Sequence, residues 1–118
     1  MRRLVLAIIL VFVCVSPVHG YFCNGNDLWD SAKHYGSDPS THPIDYAFFQ
    51  GYVAGVHDSN TFIWDNYADV PDNVTLGQLC RIVKKYMEEH PERMHFHAVT
   101  IVILAIKDAF PKKTEDED

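Results

Sequence analysis

Ala98-Val99-Thr100-Ile101-Val102-Ile103-Leu104-Ala105-Ile106-Lys107-Asp108-Ala109-Phe110 decides between an all-helical and a mixed fold. The run from Val99 to Leu104 is rich in β-branched side chains and fits a buried strand by periodicity alone. Its continuation through Phe110 is long for a strand and ordinary for a helix. Pro111 then ends it, because proline supplies no amide donor to a further turn. Read as a helix, the segment is apolar on nearly all sides and belongs at the centre of a bundle or in a dimer interface.

The preceding segments read as helices too, and they make the fold class all-α, a small four-helix bundle-like domain. Thr75 and Gln78 form a capping box, and Leu76, Leu79, Cys80, Val83, Tyr86 and Met87 follow at helical spacing until Pro91. Further upstream, Pro43 suits a first helical turn and Asp45 lies near the positive end of the helix dipole. Ile44, Ala47, Phe48, Gly51, Tyr52 and Gly55 recur at three- and four-residue spacing and trace one face. Two glycines inside a helix each cost about 1 kcal/mol relative to alanine, so Gly51 and Gly55 imply close approach of another helix or a ligand. A first short helix carries Leu28, Trp29 and Ala32 inward, with Asn26 as its cap, and stops before Gly36.

Asn60 to Asn73 is the least regular stretch, with Pro71 against a continuous helix. It sets Phe62, Ile63, Trp64 and Tyr67 beside Asp65, Asp69 and Asp72. Aromatic residues interleaved with carboxylates suit an anchor-and-rim contact with a basic partner, which makes Trp64, Asp65, Tyr67 and Asp69 the candidate partner-binding residues. The alternative is that the aromatics fold back onto the domain's own core.

The N-terminus reads as a cleavable signal peptide over residues 1–20. Arg2 and Arg3 precede 12 apolar residues, Leu4 to Val15, and Val18 and Gly20 place a cut before Tyr21. An apolar core of that length is too short for the ~20 residues that span a bilayer. The mature domain is then 21–111, with a charged tail, 112–118, expected to be disordered. Without Arg2 and Arg3, 8 basic side chains face 16 acidic ones, a net charge of −8. Such a surface repels nucleic acid and anionic lipid. Maturation leaves Cys23 and Cys80, and an oxidising compartment permits one disulfide between them, worth about 4 kcal/mol on the chain-entropy model; the alternative is a pair of unpaired thiols, one of them buried.

Motifs of catalysis are missing. The sequence has no nucleophile elbow, phosphate-binding glycine loop or zinc-protease helix, and no cofactor is implied. Cys80 on an apolar face suits a packed or bonded thiol better than a nucleophile. His90, His95 and His97 cluster around Pro91, but no spacing closes a four-ligand metal site. Asn73-Val74-Thr75 fits a glycosylation acceptor in a eukaryotic source.

Gly51-Tyr52-Val53-Ala54-Gly55-Val56-His57-Asp58, Val74-Thr75-Leu76-Gly77-Gln78-Leu79, the run from Val83 to Arg93 and the closing Ala109-Phe110-Pro111 carry a resemblance. In this order and spacing they resemble the Rap/Tai family of immunity proteins from type VI secretion systems. The resemblance implies a small all-helical periplasmic protein, often dimeric, that binds and blocks a cell-wall amidase effector and has no catalysis of its own. It also implies that a protruding loop enters the effector, at the position of Asn60 to Asn73. The cysteines depart from the family's pattern, so its disulfide is not carried over. A fainter likeness, to the HdeA/HdeB acid-stress chaperones, rests on the small size, the helices and one long-range disulfide.

Overall fold

The computed structural model describes residues 1–3, 22–64 and 67–114, without the Trp64 side chain. The expected signal core, Asp65 and the tail from Glu115 to Asp118 lie outside the described residues. The fold is all-α, and the described residues from 22 onward form four helices, α1 (Gly25–Ala32), α2 (Pro43–Trp64), α3 (Leu76–Glu89) and α4 (Ala98–Ala109), with a 3-10 turn at Pro91–Arg93 between the last two. All six helix pairs are in contact. None of the helices among the described residues is long and apolar enough to cross a membrane.

The ambiguous segment is helical. In α4, Ala98, Ile101, Val102, Ala105 and Ile106 are buried, the i, i+3, i+4, i+7, i+8 pattern of a single helical face. Val99 on its other side is exposed, while Ile103 and Leu104 are half-buried. The helix therefore packs by one face against its three neighbours. Leu28, Phe49, Ile101 and Ile106 are fully enclosed at the centre, each contributing about 1.5–3 kcal/mol through burial.

Capping fixes two of the helix starts. The Thr75 hydroxyl accepts from the Gln78 amide, and the Gln78 side chain accepts from the Thr75 amide at 2.7 Å. The first helix begins two residues earlier than expected, because Asn24, not Asn26, is its cap. The Asn24 side chain accepts from the Asp27 amide, and the Asp27 carboxylate accepts from the Asn24 amide at 3.0 Å. The same corner is sewn to the chain before α4 by amide bonds from Gly25 to Phe96 O (2.9 Å), Asn26 to Met94 O (3.0 Å) and Ala98 to Cys23 O (3.2 Å). Gly25 is the glycine of close approach. A Cβ there would collide with the Ile101 side chain and stand 2.7 Å from the Met94 carbonyl oxygen.

Three expectations need correction. Gly51 and Gly55, expected as close-packing positions, are both exposed, and a Cβ on either would meet nothing within 4 Å. The irregular stretch is shorter than Asn60 to Asn73, because α2 continues through Trp64. No glycine or proline interrupts it there, and the Asn60 side-chain amide donates to the Val56 carbonyl at 2.9 Å, turning a loop-favouring residue back onto the helix. Finally, Cys23 and Cys80 are both free thiols. Cys23 sits beside Tyr52 near the start of α4, whereas Cys80 is buried on α3 against Tyr35.

Candidate binding surface

The long helix α2 is apolar on two sides, and only one of them meets the core. Phe49, Val53 and Val56 are buried, and Tyr46 and Tyr52 pack partly against them. The face traced by the spacing through Ile44, Phe48, Gly51 and Gly55 turns outward and continues to Ser59 and Phe62. Ile44 is 82%, Phe48 47%, Phe62 91% and Ile63 67% exposed. At 100° per residue Ile44, Phe48, Gly51, Gly55, Ser59 and Phe62 form one stripe along the helix, with Ile63 to one side of it. Its middle, where the glycines leave the backbone bare, opens into a groove of about 370 Å³ bounded by Tyr52, Ser59, Asn60 and Val99. Asp58, beside the stripe, is exposed.

Of the four candidate partner-binding residues, Asp65 lies outside the described residues, and Tyr67 and Asp69 are fastened to the domain rather than held out from it. Trp64 is the last residue of α2. Tyr67 is half-buried, with its hydroxyl and His57 Nδ1 sharing a hydrogen bond of 2.9 Å. Burial pushes the Tyr67 phenol up to about 12, so it stays protonated at neutral pH. Asp69 faces the C-terminal segment. Its carboxylate accepts from the Lys113 amide at 2.6 Å, and its own amide donates to the Phe110 carbonyl at 3.2 Å. Tyr67 and Asp69 thus fasten the chain after α2 to the body of the domain. The fold-back alternative describes Tyr67 but not Phe62, which is exposed, and Ala68 beside Tyr67 is buried.

The thiols and histidines sort in the same way. Burial pushes the Cys80 thiol up to about 11, the reverse of what a nucleophilic thiolate requires. His90 Nδ1 pairs with Glu92 Oε1 at 3.0 Å, and its ring lies 4.3 Å from that of Tyr86. That hydrogen bond is the main reason the Glu92 carboxyl is held below the usual range.

Residues 24–111 match the family of Rap1a immunity proteins. The chain belongs to that family. The match runs from the Asn24 cap to Pro111 and so takes in all four helices, the exposed stripe and the fastened Tyr67–Asp69 segment. An immunity-family member implies a cognate secreted effector as its binding partner. No curated protein and no solved structure matches the chain. Of the features behind the chaperone likeness, the long-range disulfide is not formed, since both thiols are free.

The stripe was hidden from sequence reasoning because periodicity finds an apolar face without saying which way it points. One signal was available. Phe49, Val53 and Val56 form a second apolar row on the same helix, and two such rows cannot both face one small core.

Proposed function

We propose that this protein is a periplasmic immunity protein that neutralises a cell-wall amidase effector of a type VI secretion system by binding it directly. Family membership supports the immunity role and the existence of an effector. The basic, apolar N-terminus supports export to the compartment where such an enzyme would act. The observation that carries the reading is the outward stripe of α2. A row of large apolar side chains flanked by a carboxylate has the make-up of an interface core and rim, and is unusual on a surface that meets only water. Phe48 and Phe62 act as anchors, and the bare Gly51–Gly55 groove between them receives a side chain or helix of the partner. The acidic mature surface, net −8, draws in a basic effector face.

The test is inhibition of an exported amidase encoded beside this gene. The mature chain should form a stable complex with it and stop peptidoglycan cleavage. Phe48→Glu and Phe62→Glu, on exposed positions, should leave helicity intact and weaken inhibition at least about tenfold, as loss of an anchor does. Equal inhibition by parent and variants would remove the stripe as the contact surface. An amidase unaffected by the parent would remove the amidase as the partner.

A further inference from the structure

We propose that His34, His42 and Asp45 form a binding site for a divalent transition-metal ion of the zinc class, at the junction of α1 and α2. His34 stands just past the end of α1, in the turn that Gly36 reverses with φ +96°. His42 precedes Pro43, and Asp45 lies in the first turn of α2. The connection between them is held by its own hydrogen bonds: the Asp38 carboxylate accepts from the Ser40 amide at 2.9 Å and the Asp38 carbonyl from the Thr41 hydroxyl at 2.8 Å. The two imidazoles are thereby stacked, with centroids 3.7 Å apart.

The geometry of the three donors is that of a ligand set rather than of a hydrogen-bonded cluster. His34 Nε2 lies 3.9 Å and His42 Nδ1 3.7 Å from the same oxygen, Asp45 Oδ2. Both gaps exceed hydrogen-bond length. One donor atom from each residue falls within 4.8 Å of the other two. Ligands at zinc bond lengths in tetrahedral array stand about 3.3 Å apart, so the set closes on one ion once the imidazoles swing out of their stack and turn their in-plane lone pairs toward it. The other carboxylate oxygen, Oδ1, accepts from the Ser31 hydroxyl at 3.3 Å. Ser31 is a buried polar side chain, and its bond turns Oδ2 toward the imidazoles, the outer-shell arrangement that orients metal-binding carboxylates. The side chains of His34, Asp45 and His42 are 27%, 37% and 45% exposed, open enough for an ion to enter and for water to complete the coordination. Two imidazoles and a carboxylate favour zinc and its neighbours over calcium or magnesium, which prefer oxygen donors.

Zinc chloride titrated calorimetrically into chelator-treated mature protein near pH 7.5 tests the site, with cobalt(II) absorption as a second reading of its geometry. The expected result is one saturable ion per chain, a rise in unfolding temperature with zinc, and visible cobalt bands. His34→Gln, His42→Gln and Asp45→Asn should each weaken binding by about tenfold or more, and Ser31→Ala by about tenfold, while His90→Gln leaves it unchanged. Circular dichroism without zinc establishes that each variant is folded. Unsaturable binding, or a zinc affinity indifferent to His34→Gln and His42→Gln, would overturn the proposal.

Discussion

Three glycines on this chain look alike in sequence and have opposite environments. Gly25 is pressed against Ile101 and the Met94 backbone, where any side chain must displace both. Gly25→Ala should therefore destabilise the domain by about 1–3 kcal/mol, the usual cost of overpacking, read as a lower urea midpoint with an unchanged slope. Gly51 and Gly55 face open space in a helix interior. Alanine at either should stabilise the free protein by about 0.4–1 kcal/mol by restricting the unfolded chain. A free protein destabilised by Gly55→Ala would mean that the groove is already filled within the chain. Tyr67 gives a second prediction at this scale. Tyr67→Phe removes the hydroxyl shared with His57 and should cost about 1 kcal/mol in the same measurement.

At the scale of elements, the starts and stops of the helices were legible because they depend on local chemistry. Thr75 and Gln78 cap α3 as their spacing predicts, and Pro43, Pro91 and Pro111 mark boundaries. Thr75→Ala should accordingly lower stability by about 1 kcal/mol, with little change in the other helices' hydrogen-exchange protection. Facing was less legible. The row Ile44, Phe48, Gly51, Gly55 has the same period whether it points in or out, and the three-dimensional placement of Phe49 and Val53 resolves it. The His34, His42 and Asp45 set was missed for a related reason: no short spacing motif joins them, and the reversal at Gly36 brings His34 back to His42. The two thiols stay unpaired because an even cysteine count permits a disulfide without placing the two thiols together. A substitution that fills the α2 groove, Gly55→Leu, separates fold from contact. It should preserve helicity and thermal unfolding, since no side chain opposes it, while weakening effector inhibition at least about tenfold.

The whole molecule carries an alkaline limit that follows from where its tyrosines sit. Burial raises the phenols of Tyr35 and Tyr52 above 10.0, the latter reinforced by Cys23, and pushes Tyr67 up to about 12. The Cys80 thiol moves the same way, from 9.0 up to about 11. Each group is neutral when protonated, and each folded-state value lies above its unfolded one. The unfolded chain therefore loses these protons first as pH rises, and folding stability falls wherever the native state still holds them. The contribution is complete below about 9, declines first through Cys80 between about 9 and 11, and then through the tyrosines from about 10 upward, Tyr67 until about 12. Urea midpoints measured across this range should be level below about 9 and fall steadily above it. In Tyr67→Phe the fall above about 10 should be shallower, although its midpoint at neutral pH is lower, because phenylalanine has no proton to lose. Parallel alkaline limbs in parent and variant would mean that Tyr67 ionises as freely in the fold as in the unfolded chain. That result would contradict the half-buried hydroxyl on which both its hydrogen bond and its fastening of the segment after α2 depend.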